Sequence, residues 1–508
     1  MPASQLRVLD PLTAEPLPHG APPRPIAYLG DQLLVRGLPG HTRESALELL
    51  RKAAESLGHR LEEPDTSKLE HSLLQQPRLA RTLDRLWTTA VRIVNPSGPP
   101  ADAWPVLQQA RRFDPELAGH LQLNHVVHLA PDYQGMPYYV SMPYYVSMPY
   151  YVSMPYYVSM PTGGPPPSEY TRAGSGGRAP VALVLPDPAL RARKLARPPL
   201  VVVPDTALGK HPWFSDPQQA SDEVRARGLR LGLGGDVPAV AAAATPPDPL
   251  DGRVPPYAGH ATFITGLIRQ TCPEARVQVI PLFDDAGTMP EGALLEVLAL
   301  LLLRQWDVLA GQAPSSDLVD VLSLSLGYYH EDPDDALEDA PLRLVLDQLG
   351  RSGVAVVASA GNQATTDPLY PAAFAGHTRP FDANCLPVVS VGALNPDLRT
   401  VAYFSNAGDW VSCQRPGAAL VSTVPVDLNG ELQAGAAWRA AGQDRATIDP
   451  EDFRGGFATW SGTSFAAPVL AGQLAARLVN DPTLADLDAA DGVRRGWLAL
   501  QQELGWTP

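Results

Sequence analysis

The chain has 508 residues, and 45% of them are hydrophobic, which allows a sizeable core. Its formal net charge of -15 argues against nucleic acid and anionic membrane as partners, since both need a basic protein surface. The sequence has no signal-peptide pattern at its start and no apolar run of about 18 residues. Its three cysteines allow at most one disulfide, so free thiols are expected. We therefore expect a soluble, cytoplasmic protein, and secretion by another route stays open.

The first 130 residues are predicted to be an N-terminal tail, residues 1–30, and a compact unit, residues 31–130. Within the unit, a β-α-β pattern occurs twice, and this favours a ferredoxin-like α+β sandwich. The predicted strands are 31–37, 59–63, 88–94 and 123–130, and the predicted helices are 43–57 and 101–112. His125 and His128 in the last strand are interpreted as surface groups.

A linker is predicted over residues 131–197, where the hexapeptide MPYYVS occurs four times between residues 136 and 159. A proline at every sixth residue excludes a central β-strand, and no charged residue interrupts the tract. Composition therefore favours a passive, variable linker. The alternative is a tyrosine-rich tether that binds a cleft of the protein or a partner.

Two polar side chains stand next to apolar patterns in the middle of the chain. Asp205 follows the β-branched run 201–203, which predicts a buried strand, and functional groups collect beyond the carboxyl ends of such strands. An ordinary turn is the alternative for Asp205. His260 follows Gly259 and opens an apolar, helix-like run, a setting that the other histidines lack. Both are candidate site residues.

Another strand-like run, residues 352–359, leads into Ala360, Gly361 and Asn362. An asparagine amide can donate to a developing oxyanion, although Gly-Asn is also a common turn signal. Near the end of the chain, Ser464 follows a Gly-Thr pair at the start of a small-residue helix that contains Pro468. Proline is least disruptive near a helix start, which places Ser464 there. A capped core helix is the alternative.

In chain order, Asp205, His260, Asn362 and Ser464 resemble the motifs of the subtilisin-like serine peptidases, the subtilase or S8 family. VVVPDTALGKHP is similar to the family's Asp motif, GHATFITG to its His motif, VVASAGN to its oxyanion segment and GTSFAAP to its Ser motif. The resemblance covers roughly residues 198–480. It implies a peptidase domain over residues 198–508 with a three-layer α/β fold and a mainly parallel sheet.

The resemblance also implies residue roles. Ser464 would be the nucleophile, His260 the general base and then acid, and Asp205 the group that orients His260. Asn362 and the backbone N–H of Ser464 would donate to the oxyanion. The activity implied is that of a serine endopeptidase that needs no cofactor and acts on extended protein segments. The cleft would be lined by Ser325, Leu326, Gly327, Ser359, Ala360 and Gly361.

Some positions depart from the family pattern. Ala207, Ala261 and Phe263 replace the usual Gly, Gly and His, which we interpret as fine tuning because the reacting groups remain. Leu369 is expected to intrude into the first specificity pocket and to favour small residues there.

The sedolisins have a similar Gly-Thr-Ser turn but use a Glu base and an Asp at the oxyanion. This chain has His260 and Asn362 at those points, so activity at neutral to alkaline pH is expected.

Residues 31–130 precede the motifs, and LQLNHVVHLA resembles the last strand of the family's propeptides. This implies an inhibitory, fold-assisting domain, with the linker as the place of self-cleavage; a generic accessory domain is the alternative. The expected partners are a protein or peptide substrate and the chain's own N-terminal domain.

The acidic residues 330–341 are a candidate structural calcium site, because surface loops of the family often bind calcium, although their spacing matches no EF-hand. A solvated loop is the alternative. Two rival functions stay open: a catalytically silent peptide-binding module and a scaffold that uses the Tyr-rich repeat.

Overall fold

The computed structural model describes residues 6–62, 67–129, 177–232, 252, 254–283, 287–377 and 380–508, except 97, 99, 333 and 336. The MPYYVS repeat lies outside the described residues. The chain divides into two compact units. The first unit takes its residues from Met1–Val127, Met289–Leu303 and Tyr328–Gln348, and the second takes them from His128–Thr288, Arg304–Gly327 and Leu349–Pro508.

The first unit is a two-layer α+β structure. Its described strands form an antiparallel sheet in the order β5-β2-β4-β3, with β1 added to β2. Helices α1 and α4 pack on each other and on β2. This order is that of a ferredoxin-like sandwich, as the repeated β-α-β pattern predicted. The strands are β1 Leu6–Val8, β2 Ala27–Arg36, β3 Arg60–Glu62, β4 Thr88–Val94 and β5 Leu121–Leu129; the helices are α1 His41–Ser56, α2 Lys68–Leu74, α3 Pro77–Asp84, α4 Ala103–Phe113 and α5 Pro115–Ala118.

Residues 6–30 belong to this unit, where the sequence had suggested a tail. β1 pairs with β2, and Leu9, Leu17 and Ile26 are buried in the core of the unit. These three residues are spaced irregularly along loops, so no helical or strand period marks them as buried.

The remaining elements follow in chain order. Four elements are divided between the two units, namely β5, whose last residues His128 and Leu129 belong to the second unit, and β12, α7 and α8. The strands are β6 Ala179–Pro180, β7 Leu200–Asp205, β8 Ala220–Ser221, β9 Arg225–Ala226, β10 Leu229–Arg230, β11 Arg276–Pro281, β12 Thr288–Pro290, β13 Val321–Leu324, β14 Leu326–Gly327, β15 Ala355–Ser359, β16 Val388–Leu394, β17 Cys413–Pro416, β18 Leu420–Thr423, β19 Ala437–Ala440, β20 Gln443–Ala446 and β21 Phe457–Trp460. The helices are α6 His260–Thr271, α7 Glu291–Leu309, α8 Pro341–Arg351, α9 Thr463–Leu478 and α10 Ala489–Leu504.

The second unit is built on a sheet whose described strands follow the order β17-β16-β15-β13-β7-β11-β8, with parallel pairing throughout. The central strands β7, β13 and β15 are buried along their whole length. Such continuous apolar strands are typical of a parallel sheet covered on both faces. Helices α6 and α9 pack on each other and on this sheet. The predicted α/β fold with a mainly parallel sheet and a smaller α+β domain is confirmed.

This architecture gathers polar groups at one edge of the sheet. The carboxyl ends of β7, β13 and β15 meet there, together with the first residues of α6 and α9. Parallel sheets bind ligands at this edge.

Other expectations concern cysteines and membrane helices. The three cysteines are all free thiols. Within the described residues, every helix is too short or too polar to cross a bilayer.

Candidate active site

The carboxylate of Asp205 binds the imidazole of His260 through both of its oxygens. Nδ1 of His260 lies 2.8 Å from Oδ1 and 2.9 Å from Oδ2. Both residues are buried, with His260 1% exposed and Asp205 0%. Thr206 donates its backbone N–H and its hydroxyl to Asp205 Oδ1, and that hydroxyl accepts the N–H of Ala261. Since Nδ1 donates to a carboxylate, the neutral ring keeps Nε2 available as a base.

The position of His260 depends on the glycine before it. Gly259 caps α6 with a φ of 80°, in the left-handed region that favours glycine. A Cβ at this residue would also lie 2.6 Å from Cδ of Pro425. Gly259 thus lets the chain turn sharply, so that the first side chain of the helix is the imidazole beside Asp205.

Ser464 is the second residue of α9, and its side chain is buried at the helix start. Pro468 has no N–H, so it cannot donate the usual helical bond to the carbonyl oxygen of Ser464. The hydroxyl of Ser325 donates to that oxygen instead, at 2.8 Å. Phe465, the next residue, has its ring centroid 5.2 Å from that of His260. The helix start and the Asp205–His260 pair therefore lie side by side.

The amide of Asn362 has one fixed orientation. Its Oδ1 accepts both the backbone N–H and the hydroxyl of Thr463, each at 2.8 Å. The Thr463 hydroxyl in turn accepts the N–H of Gly361 at 3.0 Å. The donor end, Nδ2, faces the turn before Ser464, because a Cβ on Gly462 would lie 3.4 Å from it. A donor therefore lies beside the turn that precedes Ser464.

Aromatic rings surround the imidazole of His260. The Trp460 ring meets it edge-on with centroids 5.6 Å apart, and Phe465 covers another side. His211 is also buried in this unit, but its burial lowers its pKa to about 4, and its Nδ1 accepts the N–H of Trp213. So low a pKa makes His211 a weak base, so it does not compete with His260 as a general base.

Two strands form the walls of the expected cleft, residues 325–327 and 359–361. Gly361 has a φ of 101°, which favours glycine. A Cβ on Gly361 would lie 2.8 Å from Cδ2 of Leu369, and one on Gly327 would lie 2.7 Å from its Cγ. The buried Leu369 side chain therefore fills the space between the two walls.

The end of β5 pairs with one of these walls. Leu129 lies opposite Leu326 and His128 opposite Gly327 in an antiparallel ladder, and the N–H of Leu129 donates to the carbonyl of Gly287 at 3.0 Å. An extended peptide added to a sheet edge has this geometry.

The structure thus brings Asp205 and His260 into contact and places Asn362 and Ser464 on neighbouring turns. The sequence did not indicate four supporting residues: Thr206, Thr463, Trp460 and Arg178, whose guanidinium donates to the carbonyl oxygens of Pro255 and Ala258 before His260. The first two are hydroxyl residues adjacent to a candidate site residue, and that adjacency was the available signal. The other two carried none, because their contacts lie far along the chain.

A histidine cluster in the first unit corrects one interpretation. His125, predicted at the surface, is buried, with Nδ1 2.6 Å from Glu291 Oε2 and Nε2 2.8 Å from Glu331 Oε2. Burial alone would lower the pKa of His125, but the two carboxylates raise it to about 10. The group that His125 forms with His330 and Glu331 is close enough to hold a cation. The raised pKa of His125 favours its protonated, positively charged form at neutral pH, which opposes the binding of a cation there.

The acidic stretch 330–341 contributes Asp332 and Asp334 to a second cluster with His19. Two carboxylates and an imidazole are fewer than the six to eight oxygens that calcium takes. A structural calcium ion at this stretch stays a prediction.

A buried Asp–His pair beside a serine at a helix start, at the carboxyl edge of a parallel sheet, is the arrangement of the Asp-His-Ser hydrolases. Residues 258–491 match the model of the subtilase family, Peptidase S8. Over this segment the chain is similar to the subtilisin-like serine peptidases, as its motifs predicted.

Similar proteins agree with this family. An intracellular serine protease of Paenibacillus polymyxa is 29% identical over 228 residues, which are 43% of this chain and 53% of that protein. The major intracellular serine protease of Bacillus subtilis is 28% identical over 186 residues, 35% of this chain and 50% of the relative. The chain thus spans about half the length of these two relatives.

Among solved structures, fervidolysin from Fervidobacterium pennivorans, a keratinolytic enzyme related to subtilisin, aligns with a TM-score of 0.45 and 16% identity. The alignment covers 89% of this chain and 55% of fervidolysin.

Proposed function

We propose that the chain is a serine endopeptidase that cleaves extended protein segments through an acyl-enzyme intermediate. The observation that carries this proposal is the buried Asp205–His260 pair, with Nδ1 2.8 Å from a carboxylate oxygen. A serine hydroxyl is a poor nucleophile at neutral pH and needs a base held in this way. The match of residues 258–491 to the subtilase family model adds independent support.

In the proposed reaction, Ser464 Oγ attacks the scissile carbonyl carbon while His260 Nε2 takes its proton. The imidazolium that forms is stabilised by Asp205 and then gives the proton to the leaving amine. Nδ2 of Asn362 and the N–H of Ser464 would donate to the oxyanion, where one donor is typically worth about 100- to 1000-fold in rate. In the second half of the reaction, water attacks the acyl carbon while His260 Nε2 takes a proton from the water. His260 then returns this proton to Ser464 Oγ as the acid product leaves.

A fluorophosphonate probe tests the proposal, because it modifies only an activated serine. We expect one adduct per chain, located on Ser464 by peptide mass spectrometry, and loss of the adduct in His260→Ala. A chain that binds peptides but does not react with the probe would instead favour the catalytically silent binding module.

The substrate is proposed to bind as an added strand along Leu326 and Gly327. Support comes from the residues of the chain itself that pair there, His128 and Leu129. The side chain next to the cleaved bond would then point between the two cleft walls, where Leu369 leaves little room. Substrates with alanine or glycine at this position should therefore be preferred.

Replacing Leu369 with Gly should reverse this preference. Removing the side chain opens the space between Gly327 and Gly361, so peptides with Phe before the cleaved bond should gain at least about tenfold in kcat/KM relative to Ala peptides, since one or two buried methylenes are worth about that factor. Competition assays on paired Ala and Phe peptides would measure the ratio. An unchanged ratio in L369G would contradict the role of Leu369.

We also propose that the N-terminal region inhibits the site and is released by self-cleavage in the linker. The pairing of residues 128–129 with residues 326–327 supports inhibition, since it covers a wall that a substrate would need. Two relatives are named intracellular serine proteases, which supports the predicted cytoplasmic location. The predicted absence of nucleic-acid and membrane partners rests on net charge alone.

A further inference from the structure

Arg178 is completely buried, although it lies within residues 131–197, which the sequence predicted to be a linker. Its guanidinium donates one amino group to the carbonyl oxygen of Ala258 and the other to that of Pro255, the second at 2.8 Å. A planar fork of donors suits two acceptors on one turn, and a lysine cannot reproduce it.

The two carbonyls belong to the turn that leads into α6. In this turn Ala258 donates its N–H to Pro255 at 3.1 Å, and His260 donates its N–H to Tyr257 at 3.0 Å. Arg178 therefore fixes the backbone one residue before the left-handed Gly259, and His260 follows directly. A shift of this turn would move the imidazole relative to Asp205.

The same guanidinium lies over an aromatic ring that contacts His260. Its carbon is 4.6 Å from the centroid of Trp460, whose ring meets the imidazole edge-on at 5.6 Å. Arg178 is held in this place because the next residues, Ala179 and Pro180, pair with β21, the strand that ends at Trp460. A buried cation thus contacts both the turn and the ring that position His260.

We propose that Arg178 is a positioning residue for His260, and that the active peptidase must retain it. The proposal rests on the proposed function. Self-cleavage that releases the N-terminal region must then occur before residue 178, which excludes the last twenty residues of the predicted linker, 178–197.

Replacing Arg178 with Met keeps much of the side-chain volume but removes the charge and both donors. We expect kcat to fall by about 10- to 100-fold with KM little changed, because a displacement of about 1 Å at a reacting group costs up to about 100-fold. R178K keeps the charge but not the planar fork of donors, so only part of the lost kcat should return.

Arg269→Met is the matched control. Arg269 is also buried and lies on α6, the helix that begins with His260. It donates to the carbonyl of Ala275 at 2.9 Å, so this contact lies at the far end of the helix from His260. Rates are divided by the fraction of folded chains, measured by circular dichroism, which removes effects of misfolding. R269M should then keep the kcat of the unchanged chain. If R178M kept the same kcat as R269M, the positioning role would be wrong.

Two further measurements separate this inference from the proposed function. In the full chain carrying Ser464→Ala, the NMR signal of the His260 Nδ1–H proton, which is hydrogen-bonded to Asp205, can be followed without any turnover. A change in this signal on adding R178M but not R269M supports the positioning role even if the chain hydrolyses nothing, and an unchanged signal overturns it. Mass spectrometry of the self-processed chain should find a first residue at or before 178, and a fully active form that starts later contradicts the proposal.

Discussion

Replacing Ser464 with Ala should lower peptide hydrolysis by roughly a million-fold, the size of the effect that removal of the nucleophile has in triads of the subtilisin type. The alanine keeps the helix start, since the backbone of Ser464 is held by the Ser325 hydroxyl and the side chain adds little packing. The remaining rate would come from substrate binding and the oxyanion donors alone. Initial rates on a denatured protein substrate would measure the loss, and the full-length chain should also stay intact.

Ser461→Ala is the control for this experiment. Ser461 lies three residues earlier, and its hydroxyl oxygen accepts the backbone N–H of Ala419 at 2.9 Å, outside the proposed reaction. This variant should hydrolyse and process itself at close to the original rate. Turnover that persists in S464A would show that another nucleophile acts.

Asp205→Asn should reduce kcat by about ten-thousand-fold while leaving the fold and KM nearly unchanged. The amide is close in shape to the carboxylate, but it can donate to Nδ1 of His260. The imidazole would then carry its proton on Nε2 and could not accept the proton of Ser464. Stopped-time assays at a high concentration of enzyme would measure the residual rate.

Asp320→Asn provides the comparison for Asp205→Asn. Asp320 is a second buried carboxylate of the same unit, paired with Arg197 at 2.7 Å. Its loss should lower the melting temperature because a buried charge is left without its partner. It should not change kcat per active site. A fall of less than tenfold in D205N would contradict the role of Asp205 as the group that orients His260.

The site residues could be predicted from local sequence patterns. Their contact in space could not, because it depends on the parallel sheet. A β-branched run before Asp205 and an apolar helix after His260 mark a strand end and a helix start, and these are properties of a few adjacent residues. The two side chains are 55 residues apart in sequence, and only the parallel sheet places them 2.8 Å from each other. The Arg178 contacts span 77 and 80 residues, and its neighbours have a loop-like composition, so no local pattern marked it.

The fold was likewise predictable where it depends on local patterns and not where it depends on distant residues. Alternating strand and helix patterns in residues 31–130 were sufficient for the ferredoxin-like order, since each pattern is local. Burial of His125 was not predictable, because the strand pattern shows alternation but does not reveal that Glu291 and Glu331, more than 150 residues away, supply two acceptors. The burial of Leu9, Leu17 and Ile26 was missed for a related reason. Isolated buried residues along a loop follow neither the helical nor the strand period, so the sequence does not mark them as buried.

The bond from Ser325 to the carbonyl oxygen of Ser464 joins a cleft wall to the residue that is proposed to attack. A peptide laid along that wall would move together with the attacking oxygen when the cleft widens or narrows. Its register relative to Ser464 would be preserved during such motion. The wall at residues 359–361 is joined to the same helix start, because the N–H of Gly361 donates to the Thr463 hydroxyl at 3.0 Å. Engineering of selectivity is therefore best directed at Leu369, which lies between the two walls and can be changed without breaking either bond.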